Sequence, residues 1–163
     1  MGEIETKKVK AKRAEAYGIV KNYALGALGV GIIPFPLVDM AALTGVQLKM
    51  LHRLTRLYNI EFSEHLGKSF VASLIGGGIP LSFSLTLVSL IKFTPISGQL
   101  TGMIGVALFG SASTYAIGRV FIQHFESGGT FLTFNPQEAR GDYVRQFKKG
   151  KDEVRKSFAG IKP

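Results

Sequence analysis

His52, His65 and His124 are the only histidines of this 163-residue chain, and Asp39 is the only acid between Ala16 and Asn59. Catalysis or metal binding needs such groups paired at set spacings. None of the histidines belongs to an HExxH-type pair, Glu64-His65 is a mere adjacency, and no cysteine supplies a thiolate or a disulfide. The histidines read as surface or capping residues, with a spatial site shared with Asp39 as the alternative. Gly26, Gly29 and Gly31 adjoin an apolar run, yet no Lys-Ser or Lys-Thr follows at P-loop spacing, so they read as packing glycines. With no nucleophile–base pair in view, the expectation is a chain that is not an enzyme and holds no metal or cofactor.

Asp39 carries two readings. It sits just past Pro34-Phe35-Pro36 in an apolar context. As an intramembrane or interfacial carboxylate it would pair with Lys49, Arg53 or Gln47, or hold a proton or ion. As a helix-start acid it would simply favour the positive end of the helix dipole, a reading that Pro36 supports. Together with Gln47, Lys49, Arg53 and Arg56 it forms the set expected to contact a partner or lipid.

These residues are positioned by elements of contrasting composition. Residues 69–91 and 93–118 are uncharged, separated by Lys92 alone. Each stretch exceeds the ~20 residues that a helix needs to span ~30 Å of hydrocarbon. Joined by Lys92-Phe93-Thr94-Pro95, they predict a helical hairpin (69–118) in or across a membrane. Gly76, Gly77 and Gly78 in the first arm, and Gly98, Gly102 and Gly105 in the second, predict close helix packing, continued by Gly110, Ala112 and Ala116.

The remaining chain predicts helices around that hairpin. Residues 1–22 form a basic arm. Residues 23–33 are uncharged and too short to cross a bilayer, which suits a re-entrant or interfacial segment, or a core helix. From 37 to 58, Leu37, Ala41, Thr44, Leu48, Leu51, Leu54 and Tyr58 recur at helical steps, with Lys49, Arg53 and Arg56 on another face. Asn59 ends that helix and Ser63-Glu64 starts the next. Phe131-Leu132-Thr133-Phe134 reads as a short, extended apolar run. Asn135-Pro136-Gln137-Glu138 starts a last, basic and amphipathic helix. The domain expectation is 1–22, then a membrane-associated helical domain over 23–127, then a basic amphipathic helix and tail over 128–163. The fold expected is all-α, a compact bundle built on the glycine-rich hairpin and flanked by amphipathic basic helices.

Net charge is +9, with 46% hydrophobic residues and a mean hydropathy of +0.22. Nineteen of the 20 Lys and Arg lie outside the hairpin. That segregation is a membrane pattern: it places the termini on the cytoplasmic side and predicts attraction to anionic head groups. Aromatic interleaving among the cations is poor, which argues against nucleic acid.

Ile33-Pro34-Phe35-Pro36-Leu37-Val38-Asp39, followed by Gln47, Met50, Leu54 and Tyr58, then Thr94-Pro95, Ala116-Ile117-Gly118-Arg119 and Phe125-Glu126-Ser127-Gly128-Gly129-Thr130, resemble a known pattern. It is that of the bacterial domain-of-unknown-function family typified by the inner-membrane protein YcjF, over roughly residues 17–158. The resemblance implies a helical membrane-associated module of the bacterial inner membrane, one that often follows an Era-like or dynamin-like GTPase in one polypeptide. Without that GTPase, the chain would act with one in trans. The functional expectation is a self-associating, membrane-embedded helical scaffold or anchor. The alternatives are a small transport or pore-forming protein lined by Asp39 and the Gly/Ser/Thr-rich arms, and a soluble all-α oligomer.

Overall fold

A computed structural model of the chain describes residues 2–30, 36–78 and 97–159, with side chains placed over 2–29, 41–77 and 105–157. Five helices and no strand occur among these residues: α1 (Gly2–Val30), α2 (Pro36–Tyr58), α3 (Glu64–Gly78), α4 (Ser97–Glu126) and α5 (Pro136–Ala159). The fold is all-α, as the sequence predicts. The Lys92-Phe93-Thr94-Pro95 turn and the Pro34-Phe35 stop lie outside the described residues.

Local chemistry sets the helix ends. Asn59 adopts φ 56° and Gly128 φ 87°. Around each, two backbone bonds close a Schellman motif: Ile60 N to Thr55 O with Asn59 N to Arg56 O, and Gly129 N to His124 O with Gly128 N to Phe125 O. Ser63 Oγ accepts from Leu66 N at 3.4 Å to start α3. Asn135 Oδ1 accepts from Gln137 N at 3.0 Å, and Asn135 Nδ2 donates to Glu138 at 2.8 Å, so the expected start of α5 is formed.

α4 is the central strut, packed chiefly against α5 and α1, then α2. Successive helices run in alternating directions, which defines two ends. One end, here the base, holds the α2–α3 and α4–α5 turns. The other, the tip, holds the end of α1, the start of α2 and the described ends of the predicted hairpin arms. The main core sits toward the base: Val20 of α1, Met50, Leu51 and Leu54 of α2, Phe70, Val71 and Leu74 of α3, and Ile117, Val120 and Phe121 of α4. Phe131 and Phe134 plug it from below. Their rings lie 5.4 and 4.3 Å from Phe121, and Phe134 lies 5.0 Å from Phe70.

The structure departs from the sequence reading in three places. Residues 23–30 of the uncharged stretch are the last turns of one continuous helix rather than a separate segment, with Ala24 and Ala27 buried, and residues 31–33 lie outside the described residues. Phe131-Leu132-Thr133-Phe134 is a turn rather than an extended run, because its two phenylalanines point into the core while Leu132 stays 87% exposed. The buried face of α2 is rotated from the expected stripe: Ala41 is exposed, while Gln47, Met50 and Thr55 are fully buried.

Candidate functional site

Val20, Met50 and Gly118 meet at one level of the bundle. A Cβ on Gly118 would run into the Val20 and Met50 side chains, so α1 and α4 approach closely only because this position lacks one. Each of the three is followed or preceded by a cation: Lys21, Lys49 and Arg119. Tipward of these cations, α1 carries no charge, α4 carries none, and α2 carries only Asp39. The boundary between charged and uncharged chain therefore falls at a common height on three helices.

Beside this boundary, α1 and α2 leave a groove of about 550 Å³ lined by Glu15, Ile19, Tyr23, Lys49, His52, Arg53, Arg56 and Leu57. The floor is apolar and the rim carries three cations against one carboxylate. Lys49, Arg53 and Arg56 are exposed, and among the described residues none holds a carboxylate within ion-pair distance. The structure thus brings three of the sequence-selected contact residues into one concave, cationic surface. His52 joins them at the rim, its ring stacked on Phe62 at 4.8 Å. Such a surface is electrostatically suited to anions and presents no nucleophile–base pair.

The other selected residues lie elsewhere. Asp39 is the fourth residue of α2, and its side chain lies outside the described residues. Gln47 is fully buried and faces inward rather than toward a partner. Its Nε2 reaches Thr114 Oγ1 at 3.3 Å and Ser113 Oγ at 3.5 Å, Ser113 shares a hydrogen bond with Tyr143 OH at 3.0 Å, and Gln47 Oε1 has no protein partner. Burial pushes the Tyr143 phenol up to about 12 against the opposing pull of Ser113. Gly76 has open space around it, and Gly77 is covered by the Arg140 side chain. Gly105 is half-buried, while the surroundings of Gly78, Gly98 and Gly102 lie outside the described side chains.

Sequence reasoning missed the clamp that fixes α1 at the base. The Arg119 guanidinium lies 4.1 Å from the Tyr17 ring centroid and donates to Tyr115 OH at 2.9 Å. Arg13 pairs with Glu126 at 2.8 Å, and Tyr58 OH donates to the same carboxylate at 3.0 Å. Burial, aided by Glu126, raises the Tyr58 pKa, and Glu126 raises that of Arg13. Tyr17 and Arg119 are 102 positions apart, and Arg13 and Glu126 are 113 apart, which no local pattern exposes; only Tyr115–Arg119 has local, i,i+4 spacing. Among the described residues no three His, Asp or Glu converge as a metal site.

α5 limits what the apolar arm can do. One helix among the described residues is long and apolar enough to cross a bilayer, over Gly105–Glu126, and 67% of its apolar window is buried against the rest of the protein. On the α5 side a Cβ added at Gly150 would stand 3.1 Å from Ala112 O, six residues tipward of Gly118, so α5 approaches the α4 backbone closely there. The cations of α5 continue beyond it to Lys156.

This chain belongs to the DUF697 family, a domain of unknown function whose family model matches residues 1–149. It is also similar to magnetosome membrane protein 22 of Magnetospirillum gryphiswaldense, with 41% identity over 137 residues, covering 83% of this chain and 70% of that protein. No solved structure matches it.

Proposed function

We propose that the protein is a non-enzymatic membrane anchor or scaffold whose uncharged tip enters the bilayer and whose groove of Lys49, Arg53 and Arg56 meets anionic head groups. The observation that carries this reading is the common charge boundary at Val20, Met50 and Gly118, with the open cationic groove beside it. The similarity to a magnetosome membrane protein supports membrane association. Partial insertion is favoured over crossing, because a hairpin driven fully through would carry the α5 cations into hydrocarbon with it. The finer parts of the reading are a bacterial inner-membrane location with cytoplasmic termini, self-association, and a cytoplasmic partner such as a GTPase acting in trans. No nucleic acid enters it.

The test is flotation of the purified full chain with vesicles of phosphatidylcholine alone or with added phosphatidylglycerol. Binding is expected to rise with the anionic lipid and to weaken with salt. Changing Lys49, Arg53 and Arg56 together to Gln should lower anionic-vesicle binding about 100-fold, at ~1 kcal/mol per cation. Equal binding to both vesicles, unchanged in the triple variant, would refute the head-group role. Release of the protein from cell membranes by alkaline carbonate would refute insertion of the tip.

A further inference from the structure

Lys12 lies over the ring of Tyr58, the last residue of α2, and Arg13 meets Glu126, the last residue of α4. These are the first tertiary interactions of α1 among the described residues. Residues 2–11 therefore overhang the base by about 15 Å. Every residue from Gly2 to Glu15 is exposed, including Ile4 at 64% and Val9 at 57%. A helical overhang this short gains little from propensity alone and draws its stability from packing.

The base beneath it has the opposite character. Residues 57–67 and 120–139 hold Glu61, Glu64, Glu126 and Glu138 but no Lys or Arg, in a chain of net charge +9. Glu64 is paired with Lys68, and Glu126 with Arg13. Glu61 has no cation within ion-pair distance among the described residues. Between the two base turns opens a cavity of about 380 Å³ lined by Ile60, Glu61, Phe62, Leu66, Phe131 and the 87% exposed Leu132.

We infer that the arm of one copy lies across the base of a second copy. Val9 enters the 380 Å³ cavity, and Lys8 and Lys10, about 100° to either side of it around the helix, reach the partner copy's acidic base with their long stems. Ile4 and Val9 point about 140° apart around the helix, so a single arm seats one of them and not both. Each copy both gives an arm and receives one, which closes the assembly as a two-fold dimer. The inference rests on the self-association part of the proposed function and assigns it a surface away from the membrane. Both halves of the contact come from this chain, which favours a second copy over another protein.

The chain has no cysteine, so trapping is clean. Differently tagged Val9→Cys and Leu132→Cys chains are mixed and oxidised in mild detergent. A mixed disulfide at least tenfold above that of Leu132→Cys with a Lys156→Cys control is expected. Lys8→Glu with Lys10→Glu in the arm chain should abolish it, and Glu61→Lys in the receiving chain should restore it. Deleting residues 2–11 should convert the dimer to a monomer by light scattering while membrane retention persists. A mixed disulfide no higher than the control, or a dimer that survives the deletion, overturns the exchange. Loss of membrane retention on deletion assigns the arm to lipid and overturns it equally. Carbonate release of the intact chain would instead count against the anchor reading alone.

Discussion

The base and the upper half of this bundle are packed by different means. At the base, Phe70, Phe121, Phe125, Phe131 and Phe134 interlock at ring distances between 4.3 and 6.2 Å, much as in a water-soluble core. Toward the tip, the contact surface is Ala24, Ala27, Gly110, Ser111, Ala112, Ser113 and Thr114, with hydroxyls tied to backbone carbonyls: Ser111 to Ala24 O at 2.7 Å and Thr114 to Gly110 O at 2.8 Å. Bulky apolar side chains profit from leaving water. Small residues profit from close van der Waals approach, which works equally well where the surroundings are lipid. One helix, α4, uses both kinds of packing, and its change of composition near Gly118 marks where one gives way to the other.

The largest effect should come from the aromatic base. Phe121→Ala removes the ring that touches four other phenylalanines and should cost about 3–5 kcal/mol in denaturant unfolding, with ring vacancy felt by the whole fold. A loss below 1 kcal/mol would mean that the base is not the principal core.

A smaller contrast tests the close helix approach. Gly118→Ala should destabilise by about 1–3 kcal/mol, because the new methyl meets Val20 and Met50. Gly26→Ala, where nothing lies within 4 Å, should instead stabilise by up to ~1 kcal/mol through helix propensity. Equal signs at the two positions, read from thermal melts, would break the comparison.

The smallest effect concerns the buried hydroxyl network. Tyr143 has its folded pKa raised to about 12 from 10.0, so its neutral form is the one the fold favours. Stability from this group is complete below pH 10 and declines between pH 10 and 12, as the unfolded phenol ionises before the folded one. Tyr143→Phe should cost about 1 kcal/mol at neutral pH through the lost Ser113 bond and should flatten that alkaline decline.

What could be read in advance was local. Asn135, Pro136 and Glu138 act within one turn, and Asn59 terminates α2 through its own backbone, so both were legible. The cationic face of Lys49, Arg53 and Arg56 followed from helical spacing alone. Gln47 was misjudged because periodicity sends polar side chains outward, and only Ser113, Thr114 and Tyr143, from helices far along the chain, provide it an interior. The close approaches at Gly118 and Gly150 were not legible, since the residues that crowd them lie up to about 100 and 40 positions away. The change of composition at residue 22 suggested a boundary, yet helix hydrogen bonding is indifferent to it and α1 continues.

The Arg13–Glu126 pair joins positions 113 residues apart. At ribosomal rates of about 5–20 residues per second, α1 is finished about 5–19 s before the end of α4 exists to receive it. During that interval its apolar face has only α2 for company. Of the five described helices, α1 is thus made first and is among the last to be secured.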